Sequence, residues 1–211
     1  MLFAEAHARW LLVVHAVAAG ALVAASTHLV VWMRGFIRGE FRRMRAVRRF
    51  AVISVGLHLT TLLLGNLIYP VYKVRVRSEY LERPDAVVRE YRARAEARLR
   101  TEADHRAVSA GAGAPTVALP PDDELLRRAG ELPRETAKVA RWFDVKEHWA
   151  ALGCMLALGC MVALLGWDPK RHGAAVAPLV FLMAVGAALT VWLSAVVGVV
   201  VTSYRAIGTL G

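Results

Sequence analysis

Two long stretches of this 211-residue chain, 149–167 and 174–202, contain no Asp, Glu, Lys, Arg or His. Two more, Trp10–Met33 and Ala51–Val71, contain no Asp, Glu, Lys or Arg. A soluble domain keeps its apolar content near about 45–50% and spreads charge along its length. Here the content is 57% and the charges fall in blocks between the apolar runs. Each run meets or approaches the roughly 20 apolar residues that carry a helix across a bilayer. A buried soluble helix explains one such run but not four in series. Alternation of apolar and polar residues is also lacking, which argues against barrel strands. So is a cleavable leader: the first run is too long, is flanked by Glu5 and Arg9, and is followed by no small-residue cleavage site. The first span is therefore expected to remain in the mature protein. Only two cysteines occur, Cys154 and Cys160, both inside the third run, which argues against a disulfide framework. No phosphate-binding loop, HExxH, CxxC, CxxCH or GxSxG pattern is present, and without CxxCH a covalently attached haem is not expected.

What is present predicts an all-α polytopic membrane protein, a four-transmembrane-helix bundle with a long helical extramembrane insertion between helices 2 and 3. Residues 1–71 form the first pair with a basic interfacial loop, 72–148 the insertion and 149–211 the second pair. Trp149 and Trp167 mark the two interfaces of the third span. The loop Arg34–Arg49 carries seven Arg against one Glu, with Ile37, Phe41, Met44 and Val47 at helical spacing, and reads as a basic helix on the membrane surface. The connection Asp168–Gly173 adds Lys170 and Arg171. By the positive-inside rule both short connections face the cytoplasm, leaving N- and C-termini outside and the 72–148 segment periplasmic, in a bacterial inner membrane. That segment has sixteen Lys/Arg and fourteen Asp/Glu, but segments longer than about 60 residues translocate largely regardless of charge.

Within the insertion, Asp85–Arg89, Glu90–Arg94, Glu96–Arg100 and Glu102–Arg106 are acid-before-base pairs four residues apart, so Asp85–Val108 is predicted as a solvated helix. Ser109–Pro121 reads as a Gly/Ala/Pro linker. Asp122 is expected to cap a short helix ending near Gly130, and Pro133 to open another that presents Val139, Trp142, Phe143 and Val145 to the interface. This charge is either a plain solvated face or a surface for a partner subunit. The net charge of +10 owes most to the Arg34–Arg49 block, which suits anionic lipid headgroups rather than nucleic acid.

Histidines carry the candidate chemistry. His15, His28 and His58 lie inside spans and His148 at the mouth of the third. An ionisable group at such a position is by default a functional hypothesis, and imidazole is a common axial ligand of haem iron. With no acidic relay groups in the first two spans, a buried cofactor is a better match than an ion path. His15 and His28 are about 20 Å apart along one helix and point about 140° apart, so they cannot share a ligand. By depth, His28 pairs with His58 near the inner face, and His15 with His148 near the outer face. The alternative is that these histidines are interhelical hydrogen-bonding groups. Close helix contact is expected at the small-residue spacings Ala16–Gly20–Ala24, Ala21–Ala25 and Gly186–Thr190. Cys154, Met155, Cys160 and Met161 invite a copper site, but the two cysteines diverge by about 120° and read as packing residues.

On His15, His28, His58 and His148 within four spans, the chain resembles membrane b-type cytochromes, four-helix bundles with bis-histidine haems. It departs from the cytochrome b of quinol-oxidising complexes, in which two neighbouring helices each carry two histidines; here only the first does. The resemblance implies a haem b electron-transfer subunit of a respiratory or redox complex, with His28 and His58 as iron ligands and with quinone and other membrane or periplasmic subunits as partners. The alternative is a cofactor-free accessory or assembly subunit of a larger membrane complex. A small copper-handling permease is a third reading, against which stands the lack of a Met-rich entry motif.

Overall fold

The computed structural model describes residues Glu5–Ala110 and Asp122–Tyr204, which are all-helical apart from short turns and connections, with no strand among them. Four helices are long and apolar enough to cross a membrane. The main elements are α1 (Ala8–Met33), α2 (Met44–Val71), α3 (Pro84–Ala110), α4 (Asp122–Gly166), the short α5 (Pro169–His172) and α6 (Ala177–Tyr204). The chain divides into two compact units, 1–72 with 142–211, and 73–141.

In the first unit the apolar parts of α1, α2, α4 and α6 share one core. Leu29 and Met33 of α1, Val47 and Ala51 of α2, Cys160 and Leu164 of α4, and Val180 and Ala184 of α6 are buried together. This core sits at the end where short connections join the helices, here termed the connection end. Phe36, Phe41 and Trp167 close it with edge-to-face rings 5.3–6.1 Å apart. The last carbonyls of a helix have no partner within it. At α4 they are met by Arg48 of α2, whose Nε donates to the Leu164 carbonyl at 2.8 Å and whose Nη2 donates to that of Trp167 at 2.6 Å. Asp168 then caps α5, its carboxylate accepting from the Lys170 N–H at 3.0 Å, and Trp167 Nε1 donates to the Gly173 carbonyl at 3.0 Å.

The predicted surface helix over Arg34–Arg49 is not continuous. A single 3-10 turn, Phe36–Arg38, ends at Gly39 in the left-handed region (φ 78°), and α2 starts at Met44. A left-handed residue ends a helix, and only glycine adopts it without cost. The apolar residues accordingly divide: Phe36 and Val47 are buried and Ile37 is exposed.

In the second unit α3 covers the predicted solvated helix. Asp85 pairs with Arg89 at 3.1 Å and also with Arg83, and Glu90 pairs with Arg94. Glu102 is reached from the preceding turn by Arg98 at 2.9 Å. Of the predicted linker Ser109–Pro121, Ser109 and Ala110 instead continue α3, which runs to Ala110, and 111–121 lie outside the described residues. The predicted break between Gly130 and Pro133 does not occur: α4 runs unbroken from Asp122 to Gly166 with Pro133 inside it. A proline removes one backbone bond and crowds the preceding turn, but the turns on either side continue. The buried Thr136 hydroxyl donates to the Pro133 carbonyl at 3.1 Å.

Candidate functional site

Helical phase decides where each histidine points. Ser26 of α1 faces Ser54 of α2, their hydroxyl oxygens 3.4 Å apart. His28 lies two residues on, about 200° around the helix, and is exposed. It lies against Phe50 (centroids 5.8 Å) and Trp32 (5.1 Å), with the Arg43 guanidinium 6.0 Å from the Trp32 ring. His58 shares the inward face of α2 with Ser54 and is buried. Its Nδ1–H donates to the Ser54 carbonyl at 2.8 Å, which leaves the lone pair on Nε2. That nitrogen is buried without a hydrogen-bond partner among the described residues. It faces Gly153 of α4, whose ideal Cβ position lies 3.7 Å away, and the side chain of Thr190 on α6 fills the space above that glycine. The Thr190 hydroxyl is committed to the Ala187 carbonyl at 2.7 Å.

His15 lies two helical turns nearer the far end, opposite the connection end. Its ring faces α2, with Cε1 3.5 Å and Nδ1 4.0 Å from the ideal Cβ position of Gly65. Its Nδ1 is also buried and without a partner. His148 is exposed, its Nδ1–H donating to the Asp144 carbonyl at 2.8 Å. Lys146, two residues earlier on α4, takes the inward direction instead: its Nζ lies 3.2 Å from the ideal Cβ position of Gly198 on α6. It also stands 5.3 Å from the Phe143 ring, which stacks on Tyr72 at 3.8 Å.

His28 and His58 thus occupy opposite faces of the helix pair, and His15 and His148 also differ in surroundings. A bis-imidazole haem needs two ring nitrogens aimed at one metal, each roughly 2 Å from it. A macrocycle also needs van der Waals clearance of roughly 3.5 Å on each face. With Gly153 directly over His58 Nε2 and Gly65 against His15, the histidines in this packing do not fit that group. No cluster of three or more His, Cys, Asp or Glu that could hold a metal ion occurs among the described residues. Cys160 packs in the core with Sγ 3.6 Å from the Val180 carbonyl, while Cys154 is half-buried.

No family model, curated protein or solved structure matches this chain.

Its site must therefore be read from its own residues. Three were missed in the sequence: Lys146, Thr61 and Ser194. Thr61 Oγ1 and Ser194 Oγ are buried with no partner among the described residues. Other helical hydroxyls, such as those of Thr27, Thr60 and Thr202, bond the carbonyl four residues back. A usable signal was the spacing Ser54–His58–Thr61–Gly65 on α2 and Thr190–Ser194–Gly198 on α6, small or polar at every inward turn. The small residues likewise divide. Gly186 meets Leu156 and Thr190 meets Gly153 across the α4–α6 contact. Ala16, Gly20 and Ala24 were expected in close contact but are exposed, and a side chain at Gly20 would meet nothing within 4 Å.

Proposed function

We propose that this chain is an integral subunit of a larger membrane complex, docked through the exposed face of α1 onto a helix of another membrane protein. The observation that carries this reading is a stripe at helical spacing, Ala16–Gly20–Ala24–His28, exposed along its whole length. Within hydrocarbon, smooth small-residue faces let helices approach closely, and a polar residue at the end of such a face finds its hydrogen bond across the contact. Exposed Val13 and Val17 border the stripe, so it forms a groove between larger side chains. A lone imidazole turned toward lipid is costly, whereas against a partner helix it is satisfied. The four apolar helices then form a bundle in a bacterial inner membrane. The Arg-rich 34–49 connection is cytoplasmic, both termini are outside, and the α3 arm is periplasmic. In that placement α3 offers a solvated, ion-paired surface to the extramembrane part of the same complex.

The test places a photo-crosslinking benzophenone amino acid at Ala24 in cells, with Leu182 on α6 as a control. The expected result is one discrete adduct at Ala24, of a mass that is neither the monomer nor twice the chain, and lipid adducts alone at Leu182. Lipid adducts alone at both positions would sink the reading, and a product of twice the chain mass would replace it with a homodimer.

A second reading, a haem b electron-transfer subunit working with quinone, is favoured by one feature. The His58 tautomer leaves Nε2 as a lone-pair donor, the form that ligates iron. It requires α4 and α6 to stand further from α2 than they do here. A reduced-minus-oxidised visible spectrum of protein purified from a haem-replete host decides it: a sharp α-band that is lost in His58→Ala supports ligation, and a colourless preparation removes it.

A further inference from the structure

We infer that the connection end carries a seat for one anionic phospholipid, its phosphate held by Arg43 and an acyl chain laid along Trp32 and Phe50. The inference rests on the membrane reading above but not on the docking of α1.

Positive charge collects at this end of the bundle. The connection 34–49 carries seven Arg against Glu40, and the connection 168–173 adds Lys170 and Arg171 against Asp168. Asp168 is already engaged, its carboxylate accepting from the Lys170 N–H at 3.0 Å and pairing with Arg171 at 3.9 Å. Arg48 is committed to the carbonyls of Leu164 and Trp167. The other six, Arg34, Arg38, Arg42, Arg43, Arg45 and Arg49, are exposed. Arg45 and Arg49 stand four residues apart on α2, a spacing at which like charges repel. The first turn of α2 also holds no acid to offset the partial positive charge of a helix start. A surface of this kind is complementary to the phosphates of an anionic leaflet.

Geometry singles out one of the six. Arg43 and Phe50 are seven residues apart, about two helical turns, and so lie on one side of α2. That side adjoins α1. The Arg43 guanidinium stands 6.0 Å from the centroid of the Trp32 ring, and Trp32 meets Phe50 edge to face at 4.6 Å. Both rings are half-buried. Trp32 lies in the last turn of α1, and Phe50 about 9 Å along α2 from its start, so the charge stands at headgroup level and the rings just inside it. A guanidinium beside an aromatic face keeps N–H groups free to fork onto two phosphate oxygens. Below it the rings offer an apolar wall to an acyl chain. A free phosphate would use the charge and gain nothing from the wall. A zwitterionic lipid would bring its own ammonium among the exposed arginines. An anionic phospholipid matches both parts.

The test reads Trp fluorescence of the full chain in phosphatidylcholine vesicles doped with a dibrominated lipid, either phosphatidylglycerol or phosphatidylcholine. Bromine quenches an indole that it reaches. The difference between the wild type and Trp32→Phe isolates Trp32, and the difference from Trp10→Phe isolates Trp10, exposed at the far end. Trp32 is expected to be half-quenched at about tenfold lower content of the brominated phosphatidylglycerol than of the phosphatidylcholine, and Trp10 equally by both. Arg43→Gln is expected to remove about fivefold of that preference, and Arg38→Gln, the same loss of charge away from the rings, less than about twofold. Equal quenching of Trp32 by the two lipids would overturn the seat. So would a loss in Arg38→Gln that matches the one in Arg43→Gln, since attraction would then be diffuse. Inorganic phosphate, added to the wild type at matched ionic strength, is expected to change nothing. Relief of the phosphatidylglycerol quenching would make a free oxyanion the ligand and overturn the lipid. Trp10 and Trp32 both untouched by either lipid would overturn the membrane reading itself.

Discussion

At the connection end, Met33, Val47, Leu164 and Val180 are fully enclosed and the polar groups beside them are engaged, down to the last carbonyls of α4. At the far end, the half-buried His15, Thr61 and Ser194 each hold one buried polar atom, Nδ1, Oγ1 and Oγ, with no hydrogen-bond partner among the described residues. The same four helices build both ends, so helix type and length do not explain the contrast. Side-chain size does. Leu, Met and Phe interlock at one end, whereas at the other Gly65, Gly153 and Gly198 make room for the polar side chains of His15, Thr190 and Lys146.

Substitutions that break this contrast are ordered by expected effect. Leu164→Ala empties a fully enclosed position, and a loss of about 2–5 kcal/mol is expected. The midpoint of unfolding in a denaturing-detergent titration measures it, and a change within error would mean that the connection end is not the packed half. Arg48→Ala strips both carbonyls of their donors and is expected to cost about 1.5–3 kcal/mol by the same titration, the range for hydrogen bonds to a charged group. Arg48→Lys should recover only part, since a point charge cannot span both acceptors as a planar fork does.

His58→Leu is expected to be nearly neutral or mildly stabilising, because it removes a nitrogen that already lacks a partner and leaves an apolar side chain in its place. A loss as large as that of Leu164→Ala would show that the far half is as tightly built as the near one. The smallest effect lies outside both halves. Arg83 beside Asp85 holds its carboxyl below the usual carboxylate range, with Arg89 assisting. A lowered folded-state value stabilises above the unfolded value, and the contribution is lost as pH falls through the folded one. Helix content read by far-UV circular dichroism should therefore decline slightly on acidification below the ordinary carboxylate range, and less so in Asp85→Asn.

The long helices were legible in the sequence because an uncharged apolar run of this length has few other ways to satisfy its backbone. Helix α3 was legible through its acid–base spacing, which needs no tertiary partner. The segment around Gly39 was not, since Ile37, Phe41, Met44 and Val47 keep helical spacing across a residue whose left-handed turn depends on the burial of Phe36. Nor was the course of α4 past Gly130 and Pro133, where local preference gives way to the helix on either side.

For the site, the sequence singled out the histidines as the unusual groups but not the directions they face. Spacing within one helix fixes only relative angles, so whether Ser26 or His28 turns inward depends on which face of α1 meets α2. Lys146 escaped notice because a charge just before an apolar run reads as an interfacial anchor. Its inward course is set by Gly198, more than fifty residues away in the chain.

The clasp made by Arg48 also orders events in time. A chain made from its N-terminus presents α1 and α2 before α4 exists, and for that interval the guanidinium of Arg48 has neither carbonyl to hold. On the membrane reading it waits among headgroups as one of the charges that fix the orientation of the first pair. Arrival of α4 then withdraws it from that duty and binds it to Leu164 and Trp167. A residue that first sets direction later becomes the lock, so the second helix pair can be held in place only after the first has been oriented.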